Sequence, residues 1–92
     1  MIASIRHKGL KRYWTAGDAS LLPQDQVKKI GYILRLLNGA ELAGDMNFPG
    51  LNLHRLRGDL DNYWSVTVKT NWRILFKFEK GHAHLVDYLD YH

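Results

Sequence analysis

The sequence contains no cysteine, two prolines and no long uninterrupted run of apolar residues. The lack of cysteine excludes disulfides, thiolate-bound zinc and cysteine nucleophiles. No apolar run approaches the roughly 18 to 20 residues that a membrane-spanning helix requires, and the first residues lack the apolar core of a signal peptide. We therefore expect a cytoplasmic protein with no membrane partner, whose small fold depends on packing alone.

The composition is typical of one globular domain, here covering residues 1–92. Hydrophobic residues make up 46% of the chain and charged residues 24%, and three Trp, five Tyr and three Phe are available for a core. The formal net charge is +4, with the positive excess in the first forty residues. Because a basic small domain attracts phosphate-rich polymers, nucleic acid is the leading class of partner.

The first half of the chain predicts two helices. Residues 8–16 place apolar side chains at helical spacing, and Gly17 is suited to end that helix. Pro23 is suited to the first turn of a second helix, which ends at residues 38–39. Before both helices, residues 2–5 suggest a short opening strand.

From residue 51 onward the apolar period changes to two, which is typical of strands. It predicts an antiparallel meander of strands at residues 53–56, 63–68, 72–79 and 83–88. The fold class is therefore α+β, with two N-terminal helices packed on a mainly C-terminal antiparallel sheet. We expect the second helix to cover one face of the sheet and the other face to be partly open to solvent.

The sequence lacks the motifs of phosphoryl transfer from nucleotides, zinc proteases and serine hydrolases. His82 and His84 share one strand face but have no third ligand nearby, so we expect no metal and no cofactor. The groups that remain suit phosphodiester chemistry: His54, Arg55, Arg57, Lys69, Asn71, Arg73, Tyr91 and His92. Imidazole serves as a base or an acid near neutral pH, and guanidinium binds phosphate oxygens.

Composition alone does not show that these residues lie close together. The competing interpretation is that they are ordinary solvated residues on the surface. Arg73 is the most informative of them, because strand alternation turns it away from the predicted core and fixes it on a central strand.

Several separate blocks of the sequence resemble the HigB-like toxins of the RelE/ParE superfamily. In chain order these blocks are residues 5–12, 45–54, 58–59, 63–66, 71–74 and 86–92. The resemblance implies a RelE/ParE-like fold and a toxin of a type II toxin–antitoxin system that regulates growth. It implies an endoribonuclease that enters the A site of the 70S ribosome, cleaves messenger RNA and inhibits translation.

The resemblance also implies roles for individual residues. Catalytic positions are His54, Arg57, Arg73 and His92. Positions that contact RNA are Arg55, Lys69, Asn71, Asp90 and Tyr91, and those that contact the ribosome are Lys8, Lys11 and Arg12. Relatives can have lysine where this chain has Arg57, and an arginine does not release its proton at working pH. The proton transfers then fall to His54 and His92, with either assignment of acid and base.

The implied partner is a helix-turn-helix antitoxin of the HigA type, which binds operator DNA together with the toxin. Two other function classes stay open at this stage. One is a DNA gyrase inhibitor of the ParE branch, which has the same fold and no nuclease activity. The other is a non-catalytic basic module that binds nucleic acid through charge alone.

Overall fold

A computed structural model describes residues 1–60 and 62–90. Within that part of the chain the helices are α1 (Lys8–Ala16) and α2 (Val27–Gly39), with short 3-10 helices at Ala43–Met46 and Gly58–Leu60. The strands are β1 (His54–Arg55), β2 (Trp64–Lys69), β3 (Trp72–Glu79) and β4 (His82–Asp90). They form one antiparallel sheet in the order β1-β2-β3-β4, which confirms the predicted α+β class and meander.

Helix α1 has the predicted bounds because both of its ends are capped. At the first turn, Nδ1 of His7 accepts a hydrogen bond from the backbone N–H of Leu10 at 3.1 Å. At the last turn, Gly17 adopts a φ of 71° and its N–H donates to the carbonyl groups of Arg12 and Tyr13. A left-handed residue at this position favours glycine, so the sequence signal for the end of α1 was sufficient.

The predicted start of the second helix is wrong, because α2 begins at Val27 and not at Pro23. The carbonyl of Pro23 accepts from the N–H of Gln26 at 2.9 Å and closes a separate turn. The carbonyl of Gln26 then accepts from the N–H of Ile30, also at 2.9 Å, as the first bond of the helix. Proline therefore opens the turn that precedes α2.

The predicted opening strand is present as two isolated parallel bridges to β4, formed by Ile2 with Ala83 and Ile5 with Val86. The ladder is not continuous because β4 is irregular between these points: its register to β3 shifts, and Leu85 has a φ of 54°. The strand predicted at residues 53–56 is likewise shorter, with only two residues in β1.

One face of the sheet packs against the helices and forms the main core. Ile30, Leu34, Leu37, Ile74 and Phe76 are fully buried there. The opposite face carries a small apolar cluster of Leu56, Tyr63 and Leu75, with Leu89 packed against it. The prediction of one covered and one partly open face is confirmed. No helix in the described residues has the length and apolar character needed to cross a membrane.

A buried polar contact joins the core face of β4 to the start of α2. The hydroxyl of Tyr88 donates to Oε1 of Gln26, and the two residues are 4% and 5% exposed. Trp72 stacks on the Tyr88 ring at a centroid distance of 4.8 Å. Burial raises the pKa of Tyr88 to about 12, and the carboxylates of Asp25 and Asp90 add to this effect.

The raised pKa of Tyr88 predicts a loss of stability at high pH. The fold retains a proton that the unfolded chain releases around pH 10.0, so the free energy of unfolding should fall as pH rises from about 10 to about 12. Tyr88→Phe should lose this pH dependence of the free energy of unfolding. At neutral pH it should cost about 1–3 kcal/mol, because Gln26 loses its buried donor. Urea unfolding of both proteins across this pH range is the measurement, and coincident pH profiles would exclude a contribution from Tyr88.

Candidate functional site

The open face of the sheet brings His54 and Arg73 to the same side. His54 pairs with Ser65 on β2, and Arg73 pairs with Thr67 on the same strand. Paired residues share a face and residues two apart on a strand share a face, so all four side chains project away from the main core. Strands lie about 4.8 Å apart, which separates β1 from β3 by about 10 Å. His54 and Arg73 are also offset by two residues along the strands, because Ser65 pairs with Leu75 and Thr67 with Arg73.

Arg73 is held on the central strand β3 by a specific contact. Its Nη1 donates to Oγ1 of Thr67 at 2.8 Å, and the side chain is half-buried. Its Nε is buried and has no hydrogen-bond acceptor among the described residues. The Nε atom has no solvent exposure, so binding of an anionic ligand by Arg73 depends on the Nη atoms of the guanidinium.

The remaining predicted residues near β1 lie on different sides of the sheet. Arg57 is exposed in the segment that joins β1 to the 3-10 helix at Gly58–Leu60. Arg55 pairs with Trp64, and therefore lies on the face opposite to His54. Its Nη2 donates to Oδ1 of Asn62 at 3.1 Å. The structure thus directs Arg55 to the face opposite to His54, and it leaves Arg57 exposed beyond the end of β1.

Three further predicted residues meet in a pocket of about 350 Å³ at the edge of the core face. The pocket is lined by Asp25, Gln26, Lys69, Thr70, Asn71, Trp72 and Asp90. Lys69 pairs with the carboxylate of Asp25 and lowers its pKa. Trp72 pairs with Asp90 across β3 and β4, and both line the pocket. Trp72 directly precedes Arg73 in the sequence. Tyr91 and His92 lie outside the described residues.

The predicted ribosome-binding cations lie on the helical layer. Lys8, Lys11 and Arg12 are exposed on α1, and Arg12 forms an ion pair of 2.6 Å with Asp18. Hydrogen bonds from Ser20 lower the pKa of Asp18, and Arg12 adds to this effect. The helical layer and the open face of the sheet are therefore two separate charged surfaces.

Across residues 1–60 and 62–90, no group of three or more His, Asp or Glu side chains is arranged to hold a metal ion. The rings of His82 and His84 are 6.5 Å apart at the start of β4. Thr67, which accepts a hydrogen bond from Arg73, belongs to no sequence motif, although its outward position on β2 follows from the same alternation that places Arg73.

A compact α+β domain with basic groups on an open sheet face is an arrangement that suits a small RNA-directed toxin. The family model for HigB-like toxins, described as the RelE-like toxin of the type II toxin–antitoxin system HigB, matches residues 3–92. The chain belongs to this family, and as a type II toxin it has an antitoxin partner. It is 42% identical to a protein of Proteus vulgaris named "Endoribonuclease HigB", over 92 residues that cover the whole of both chains.

Proposed function

We propose that the protein is a metal-independent endoribonuclease that cleaves messenger RNA in the ribosomal A site and inhibits translation. The observation that carries the proposal is the placement of His54 and Arg73 on one open face, with the guanidinium fixed by Thr67. The name of the Proteus vulgaris relative supports the nuclease activity. The family resemblance supports the ribosome as the place of cleavage.

The groups on this face match the steps of RNA cleavage through the 2′-hydroxyl. A base removes the proton of the 2′-OH, whose oxygen attacks phosphorus and forms a 2′,3′-cyclic phosphate. The bond to the 5′-oxygen breaks, and an acid gives that oxygen a proton. His54 and His92 take these two roles, in either order. Arg73 and Arg57 stabilise the negative charge that grows on the phosphate.

The pocket at the edge of the core face, which Trp72 lines, supplies contacts for nucleotides farther along the RNA. Its Asn71 side chain carries both amide donors and an acceptor, and Asp90 carries acceptors, which suits the edges of bases. Lys69 and Tyr91 add a cation and an aromatic ring for RNA. On the opposite layer, Lys8, Lys11 and Arg12 bind phosphates of ribosomal RNA without reading sequence.

We expect the antitoxin to be a helix-turn-helix protein that also binds the operator DNA of the pair. A complementary acidic surface on the antitoxin would speed its association with the basic toxin. We place its contacts on the helical side, which leaves His54 and Arg73 open in the complex. Antitoxin residues packed on Arg73 in a structure of the complex would contradict this arrangement.

Cleavage assays separate the proposed function from its alternatives. The purified protein should cut messenger RNA bound to 70S ribosomes and should leave DNA supercoiling by gyrase unchanged. Because ribosomes need Mg²⁺ to stay assembled, Mg²⁺ is held constant, and metal-independent chemistry predicts that chelation of transition metals does not change the rate. Inhibited supercoiling with intact message would favour the ParE-like alternative, and binding of RNA without cleavage would favour the non-catalytic module.

A further inference from the structure

Thr67 is the side-chain partner that the structure gives to Arg73. The two residues are direct cross-strand neighbours in the register of β2 and β3. Oγ1 of Thr67 accepts from Nη1 of Arg73 at 2.8 Å, and both side chains are half-buried. The orientation of the guanidinium therefore depends on this hydroxyl.

Thr67 is itself held in place from the opposite side. Its backbone N–H donates to the carbonyl of Leu51 at 2.7 Å, and Leu51 is 2% exposed. The register of β2 and β3 shifts directly after Thr67, so this pair ends the regular ladder. Branching at Cβ restricts χ1 of threonine. The hydroxyl thus has a fixed position beside the guanidinium.

We propose that Thr67 is a positioning residue for RNA cleavage, whose hydroxyl holds the Arg73 guanidinium in the orientation that binds the scissile phosphate. This inference rests on the proposed function. An arginine side chain that rotates freely spends most of its time in orientations that cannot bind the phosphate. An anchored side chain is already in the binding orientation, so no conformational entropy is lost when the phosphate binds. Thr67 contacts Arg73 and acts through it.

The test is Thr67→Val, which keeps the shape of the side chain and removes the hydroxyl. We expect the single-turnover rate of cleavage on programmed ribosomes to fall by about 10- to 100-fold, with ribosome affinity unchanged. Thr67→Ser restores a hydroxyl and should recover most of the rate, and Thr67→Ala repeats the test if the valine variant unfolds. Ser4→Ala is the matched control, because it removes a hydroxyl that accepts from the N–H of Leu85 at 2.8 Å on another part of the sheet.

A double-mutant comparison shows whether Thr67 acts through Arg73. In an Arg73→Ala background, Thr67→Val should cause no further loss of rate. An equal further loss, or a folded Thr67→Val protein with the wild-type rate, would overturn the positioning role. Failure of the proposed function looks different: the wild-type protein itself would then leave message on programmed ribosomes intact.

Discussion

Arg73→Ala should retain the fold and the antitoxin partner and lose about 10²- to 10³-fold in the rate of message cleavage. That factor is typical for the loss of one fixed donor that stabilises charge in the transition state. The structure explains why the effect should be on the chemistry. Arg73 lies on the rigid strand β3, on the same face as His54, and makes its described hydrogen bond to Thr67.

The fold should survive this substitution because little depends on the guanidinium in the unliganded protein. Its Nε has no acceptor among the described residues, and Thr67 is half-buried and can bind water instead. Arg73→Lys should have an intermediate rate, since lysine keeps the charge without the planar fork of donors. Arg6→Ala is the charge-matched control, because Arg6 is exposed on the N-terminal segment.

The readouts are single-turnover cleavage on programmed ribosomes and capture of the antitoxin. Intact antitoxin capture with slow cleavage would place the defect in the active site. A folded Arg73→Ala protein that cleaves and arrests growth like the wild type would show that the catalytic face has been assigned wrongly.

The parts of the fold that were predictable are those encoded by local signals. Gly17 marks the end of α1 because its left-handed backbone conformation favours a residue without Cβ. Alternation on β2 and β3 assigned Trp64, Val66 and Ile74 to the core, and the structure places them there. The position of Arg73 on the opposite face follows from the same alternation.

The parts that were not predictable depend on pairing between distant segments. The start of α2 is set by the turn in which the N–H of Gln26 donates to the carbonyl of Pro23. The side chain of Gln26 also accepts the buried hydrogen bond from Tyr88, a residue far away in sequence. The irregularity of β4 at Leu85 has no signature in residue spacing. A shift of one residue in register reverses the face of a side chain. For this reason Arg55, which is adjacent to His54 in sequence, could be assigned a face only from its pairing with Trp64.

Removal of His92 should slow message cleavage by about 10²- to 10⁴-fold, the usual contribution of a positioned acid or base. The position of the preceding residues motivates this prediction. Leu89 pairs with Arg73, and Asp90 pairs with Trp72. An imidazolium is chemically suited to be the acid that protonates the 5′-oxygen.

The deletion of His92 should leave stability, ribosome binding and antitoxin binding intact, because no residue of the described core is removed. Wild-type cleavage should depend on pH with two limbs, one for the base and one for the acid, and the shortened protein should lose the limb of the group that His92 supplies. Loss of the alkaline limb would assign His92 as the acid and His54 as the base, and loss of the acidic limb would reverse them. Added imidazole should restore part of the rate to His92→Ala, since a free imidazole can occupy the space that the side chain leaves. Cleavage at the wild-type rate after deletion would show that another group, or water, donates the proton, and His92 would then have no part in the reaction.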